Sequence, residues 1–212
     1  MAEKETKNIL ECLHYTEEVL EKAVKNNKVN VSKLYVQLLN KERVPFAHVV
    51  WCNLTLPKHR FIIWQATLGH LLTRDNLVRC HMQLNSVMCP TCDMQQESHG
   101  HLFFQCQFSQ LVRSRIAEWL GNAIWPVQFK DWTTWMMGKP KGLKQKLVAA
   151  VLAASVYLIW WNRNNSLFNL CSMTVDKVFY LLKVYWKARV ANLSRTKLES
   201  KDLAFLEKLS LM

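Results

Sequence analysis

The sequence predicts a mainly α protein: a compact multi-helix domain with one structural zinc knuckle. Three observations predict it. Apolar residues recur at three- and four-residue spacing along most of the chain. The 212 residues include only 5 Gly and 5 Pro, few for the tight turns of an all-β fold. A single segment, Cys89-Pro90-Thr91-Cys92, then eight residues, His101, four residues and Cys106, carries four metal-type donors.

Taken in order, Ile9, Leu13, Leu20 and Val24 predict a helix over about residues 3–25, broken by Asn26, Asn27 and Asn30. Ser32 is the expected N-cap of a short helix carrying Leu34, Val36, Leu38 and Leu39. Pro57 opens a further helix, at a position where its missing N–H is not needed, and Gly69 ends it. Thr73 is the expected cap of a following turn of helix, with Leu77 and Val78 turned inward. Leu111, Ile116, Trp119 and Leu120 mark another helix, stopped by Gly121. A Trp-rich piece with Trp125, Trp132 and Trp135 precedes Gly138-Lys139-Pro140. Two long helices follow, over about 143–168 and 174–195. Thr174 caps the second and Asp176 sits in its first turn, where a negative charge suits the helix dipole. Its apolar stripe is Val175, Phe179, Leu182, Trp186, Val190 and Leu193, and Lys177, Lys183, Lys187 and Arg195 fall away from it. These elements group into an N-terminal helical extension (1–41), a zinc-binding helical domain (45–121) and a basic helical region packed on it (122–212).

Composition limits the function classes. Half of the residues are hydrophobic, enough for a substantial core. The nine Trp read first as aromatic core. Seven Cys, four of them single among apolar neighbours, fit a reduced intracellular protein and not a disulfide framework. The N-terminus is charged and not Arg-rich, so no targeting signal is expected, and nucleus or cytoplasm is the expected location. The longest uncharged run, Leu147 to Asn162, is sixteen residues, short of the roughly twenty of a membrane span. No membrane partner is expected. The net charge of +12 is uneven: residues 1–25 carry −2, residues 26–118 +5, residues 119–198 +10 and the last fourteen −1. A positive field concentrated in one segment points to a polyanionic partner.

Zinc takes four N or S ligands in a tetrahedron, and a CxxC turn presents two thiolates from one tight knuckle. His101 and Cys106 supply a second pair. With four protein donors no position is left for an activated water, which argues for a structural Zn2+ and against hydrolysis. His99, two residues before His101, is the alternative imidazole ligand. A redox CxxC normally follows a strand and opens a helix, whereas Asp93, Met94, Gln95 and Gln96 follow this one in a loop.

The stretch from Val49 to Leu120 resembles the zinc-binding domain that follows the reverse transcriptase in plant LINE-type retroelements. The matching residues are Leu56-Pro57-Lys58-His59-Arg60-Phe61, Trp64, Leu68-Gly69-His70-Leu71-Leu72-Thr73-Arg74-Asp75 and Cys89-x-x-Cys92. They continue with Glu97, His101-Leu102-Phe103-Phe104-x-Cys106, Phe108-Ser109 and Trp119-Leu120. Beyond them, Val156-Tyr157-x-Ile159-Trp160-x-x-Arg163-Asn164 is similar to the helix that trails this domain, with Asn162 where the family usually has an acidic residue. The resemblance covers about residues 45–170. Nothing resembles a polymerase, endonuclease or ribonuclease H core, so it implies a free-standing, retroelement-derived fragment.

Three function classes follow. A nucleic-acid-binding module, with RNA favoured, would use Lys139, Lys141, Lys144, Lys146, Lys183, Lys187 and Arg189. A protein-interaction adaptor would dock through residues 1–41. An enzyme is not expected, because the histidines are scattered with no carboxylate or nucleophile at suggestive spacing.

Overall fold

The structure is a computed structural model that describes residues 21–25, 28–34, 44–121, 126, 128–137, 142–193 and 198–211. The chain divides into two compact units, Met1–Val44 and Pro45–Met212.

In the first unit, strands β1 (Val24–Lys25) and β2 (Lys28–Val29) pair antiparallel, Val24 opposite Val29. The helix expected over 3–25 therefore ends before Val24; its residues up to Leu20 lie outside the described residues. Asn26-Asn27 is a sequence suited to a two-residue hairpin turn, which competes with helix continuation. The short helix that follows is capped by Asn30, not by Ser32: the Lys33 N–H donates to Asn30 Oδ1 at 3.0 Å.

The second unit is built from helices α1 (Ala47–Val50), α2 (Pro57–Thr67) and α3 (Arg74–Arg79). A π-helical turn, His101–Gln105, leads into α4 (Gln107–Trp119). Helices α5 (Phe129–Met137), α6 (Gly142–Phe168), α7 (Val175–Ala191) and α8 (Ser200–Leu211) complete it. Pro57 occupies the first turn of α2. The helix ends in a Schellman motif: Gly69 is left-handed (φ 71°), its N–H donates to Ala66 O, and His70 N–H reaches back to Gln65 O. Thr174 caps α7, its hydroxyl accepting from Lys177 N–H.

Helix α6 is the axis of this unit. It buries residues around most of its circumference, among them Leu147, Val151, Leu152, Val156, Leu158 and Ile159. Its contacts are with α1, α2, α4, α7, α8 and the π turn. A helix apolar all round must be a core helix or a membrane span. By length and composition α6 could cross a membrane, but it packs against six neighbours, as a core helix does. Ala149, Ala153, Ala154 and Ser155 are all buried, small side chains that let the neighbours approach closely.

Part of the Trp content serves this packing. Trp119 of α4 meets Phe179 and Trp186 of α7 nearly edge-on, with centroids at 5.9 and 5.3 Å. Its Nε1 donates to Leu209 O of α8. Other Trp do not conform, since Trp51 and Trp161 are exposed.

Three sequence expectations shift. Helix α3 buries none of its residues, and Val78 points to solvent. The buried stripe of α7 is Val178, Leu182 and Trp186, with Val175 and Phe179 only partly covered. Helix α8, which buries Leu206 and Leu209, was not expected at all.

Candidate metal centre

The four donors expected to coordinate metal come together. One ligand atom from each of Cys89, Cys92, His101 and Cys106 lies within 4.8 Å of the others. The Cys89–Cys92 turn stands at the end of a short antiparallel pairing, in which Met88 bridges Gln96 and Glu97 N–H donates to Val87 O. Cys89 N–H donates to Gln95 O at 2.7 Å, and Asp93 N–H closes the turn onto Cys89 O at 2.8 Å. Asp93 takes the left-handed conformation that the turn needs (φ 53°).

The second pair depends on the π turn. On an ordinary α-helix, residues five apart point about 140° away from each other, at roughly 100° per residue. The wider turn, closed by Cys106 N–H donating to His101 O at 2.7 Å, brings the two side chains to one point. Side chains of α4 satisfy the carbonyls that this turn releases. Ser109 Oγ donates to Leu102 O at 2.6 Å, and Arg113 donates to Phe104 O at 3.1 Å. Cys106 is also the N-cap residue of α4, where the N–H groups of Ser109 and Phe108 favour its thiolate.

The donors differ in how readily they reach the deprotonated state that metal binding needs. A hydrogen bond to Cys106, reinforced by burial, pushes the Cys89 thiol up. The same bond pulls Cys106 down, with help from the N–H groups at the start of α4. Of the two, Cys106 is the readier thiolate, and Cys89 must lose its proton when metal binds. Burial also holds the His101 imidazole below its usual range, in the neutral form that ligates. His101 Nε2 lies 3.3 Å from Cys92 Sγ, and its Nδ1 is 3.0 Å from Gln95 Oε1. That carboxamide partner fixes which ring nitrogen faces the sulfurs. A tetrahedral zinc with these ligands has S–S edges of about 3.8 Å and N–S edges of about 3.5 Å. The donor set therefore fits one tetrahedral ion with little movement.

His99 stands apart from this group. Its Nδ1 is 3.3 Å from Thr73 Oγ1 and 3.5 Å from Asn76 Nδ2, and its ring packs near Phe103.

A buried ion pair ties the knuckle to α6. Arg163 Nε and Nη2 donate to Glu97 Oε1 and Oε2, each at 2.6 Å, and both side chains are almost wholly buried. Arg163 also stacks over Trp160, 4.8 Å from its ring centroid. Glu97 Oε2 accepts the Arg74 N–H at 2.8 Å, so this carboxylate, and not Thr73, caps α3. The Arg74 guanidinium in turn donates to Met88 O at the base of the knuckle.

Residues 30–112 match the family model described as zinc-binding in reverse transcriptase. This segment is a reverse-transcriptase zinc-binding domain. No curated protein and no solved structure matches the chain. The zinc-binding domain contains all four donors and Glu97, whereas Arg163, which completes its buried ion pair, lies beyond the matched residues.

The residues expected to contact nucleic acid fare unevenly. Lys139 and Lys141 lie outside the described residues. Lys144, Lys146 and Lys187 are exposed, and Lys183 is half-buried against the Phe179 ring. Arg189 faces inward: it donates to Leu54 O at 2.9 Å and to Asn53 O, holding the loop before α2.

The residues that sequence reasoning missed are the supporting ones. Gln95 carried no signal. Glu97 and Arg163 appeared in motifs, without any sign that they pair with each other.

Replacing Arg163 with Met leaves the Glu97 carboxylate buried without its cation, and should cost about 3–5 kcal/mol in urea unfolding. Arg163→Lys should lose less, since it keeps the charge but not the two-pronged geometry. Glu97→Gln added to Arg163→Met should restore part of the loss.

His59 gives a pH signature. It is buried between Tyr157 and Tyr185, with ring centroids at 4.8 and 4.9 Å. Burial, followed by the charges of Lys58 and Arg189, lowers its pKa from 6.5 to about 4. The unfolded chain therefore takes up the proton first. The stability that His59 contributes is complete above pH 6.5 and declines as the pH falls toward about 4. The loss across that window is roughly 3 kcal/mol. Urea midpoints followed across this window should show a shallower acid decline in His59→Gln than in the parent chain.

Proposed function

We propose that this chain is a non-catalytic, retroelement-derived zinc protein. It holds one structural Zn2+ at Cys89, Cys92, His101 and Cys106 and binds nucleic acid, RNA in preference to DNA, through a basic helical surface centred on the outer face of α7. The observation that carries the binding reading is the composition of that face. Lys177, Tyr180, Lys183, Val184 and Lys187 recur at three- and four-residue spacing, opposite the buried Val178, Leu182 and Trp186. Lys177 lies over the Tyr180 ring at 5.4 Å, and Tyr180 is more than half exposed. Lysines attract phosphates, and an exposed ring offers a stacking surface to unpaired bases, more common in RNA than in duplex DNA. The start of α6 lies beside the end of α7, because Leu147 and Val151 share a cavity wall with Trp186 and Arg189. Lys144 and Lys146 extend the positive surface at that end.

Zinc, when bound, cross-links the knuckle to the start of α4 and neutralises the thiolates. Four protein donors, with Cys89 and Cys106 fully buried, leave no position for a reacting water, which supports a structural role.

Two measurements test this reading. Elemental analysis should find one zinc per chain, lost together with cooperative folding in Cys106→Ser. In a mobility-shift assay at about 50 mM salt, single-stranded RNA should bind. Lys183→Ala with Lys187→Ala should weaken binding about tenfold and lower the salt slope by about 2. No shift at that salt, or equal affinity in the double variant, would defeat the nucleic-acid reading. Nuclease-resistant recovery of one stoichiometric protein, lost on removal of residues 1–41, would favour the adaptor reading instead.

A further inference from the structure

Helix α2 turns a face to solvent that is rich in rings and carbon. Lys58, Phe61, Trp64 and Leu68 follow one another along it at three- and four-residue spacing, opposite the buried His59, Ile63 and Ala66. Phe61 is 59% exposed. Trp51, at the end of α1, packs against Trp64 with ring centroids 6.0 Å apart and is itself 53% exposed. Single exposed apolar residues need no explanation, but adjoining aromatic rings left more than half in water mark a binding surface.

The charges around these rings decide what they meet. From Pro45 to Arg74 the sequence contains no Asp or Glu, whereas α2 carries both Lys58 and Arg60. That imbalance favours a polyanion which also offers flat apolar surface. Single-stranded nucleic acid is such a partner, with phosphates for the cations and bases for the rings. Lys58 Nζ donates to the Tyr185 hydroxyl at 3.0 Å and lies 4.8 and 4.5 Å from the Tyr157 and Tyr185 ring centroids. An ammonium has three N–H donors, so these tyrosines leave it at least one for a phosphate. The same contact joins the α2 face to α7. Exposed Ala188 is three residues from Tyr185 and four from exposed Val184, so the α7 surface continues from its lysine face to Lys58.

We propose that Phe61 and Trp51 form a base-stacking platform for single-stranded nucleic acid, with Lys58 holding the phosphate backbone where it passes from α7 onto α2. The inference rests on the nucleic-acid reading of α7 and extends it. Helix α7 supplies mainly charge, and α2 supplies the contact that only unpaired bases can make.

The test measures calorimetric affinities of the zinc-loaded full chain for three ligands at about 50 mM salt. They are an oligouridine of about 16 nucleotides, a duplex RNA of equal length and inorganic polyphosphate. Phe61→Leu and Trp51→Leu keep apolar bulk and lose the ring, and each should weaken oligouridine at least about fivefold. Neither should change the affinity for duplex or polyphosphate, and Phe61→Tyr should bind like the parent chain. Lys183→Ala with Lys187→Ala should weaken all three ligands, because it removes phosphate contacts. If oligouridine responds to the lysine variant but to neither ring variant, the platform fails and the α7 reading stands. If no ligand binds, both fail. An equal loss of polyphosphate in the ring variants would also overturn the platform. So would dimerisation in sedimentation that Phe61→Leu abolishes with oligouridine affinity unchanged, which would assign the face to a second copy of the chain.

Discussion

Glu97 and Arg163 are buried together where the metal knuckle meets α6, and most of the second unit is arranged around that fact. Their side chains are 0% and 3% exposed. Two charges withdrawn from water are tolerable only when paired and fully hydrogen-bonded. Both conditions are met with unusual completeness. The guanidinium fork meets both carboxylate oxygens, its face lies on Trp160, and Glu97 also caps α3 through Arg74 N–H. Sliding α6 by one turn against the knuckle would separate the pair. The penalty of roughly 3–5 kcal/mol for an unpaired buried charge then acts as a lock on register. Apolar packing alone would not supply it, because an all-round apolar helix with small residues can slide.

The lock also explains how the donor cluster is aimed. Its four side chains come from a CxxC turn and a π turn, and neither is stable in isolation. The first is held by the Cys89–Gln95 and Met88–Gln96 backbone contacts, the second by Ser109 and Arg113 reaching back from α4. Glu97 sits between the two turns in sequence and is clamped to the core. Both halves are therefore positioned by parts of the chain that do not touch the donor atoms. Gln95 bridges the two levels, through its backbone to Cys89 and its side chain to His101.

Much of this was legible in the sequence, for definite reasons. The CxxC–His–Cys spacing points to the four donors, with only the choice between His99 and His101 left open, since metal geometry constrains local sequence strongly. Pro57, Gly69, Gly121 and Thr174 marked helix ends because each answers a single local requirement of the backbone. What escaped was long-range. Nothing in residues 74, 97 and 163 announces that they meet, because pairing over 66 positions leaves no periodicity. Thr73 suits a cap by residue type alone, but a distant carboxylate takes that role. Arg189 belongs with the surface cations by sequence pattern, yet a partner loop 135 residues away turns it inward. Helix α8 was missed because its buried residues, Leu206 and Leu209, make only a short stripe in a charged segment. The two motifs on either side of the knuckle become intelligible only through the contacts: Leu72 with Arg163, and His59 with Tyr157.

Helix α7 then carries two kinds of surface with opposite requirements. Its inner side supplies Val178, Leu182 and Trp186 to the core, and its outer side pairs lysines with exposed Tyr180 and Val184. The only acidic residue in its sequence, Asp176, faces Arg115 at 3.1 Å. Lysines at three- and four-residue spacing on one face repel one another, which weakens a helix by a few tenths of a kcal/mol per pair. Tertiary burial of the inner stripe outweighs that cost many times over, since each large apolar side chain contributes about 1.5–3 kcal/mol. The core thus allows the outer face of α7 to keep a charge pattern that an isolated helix would disfavour.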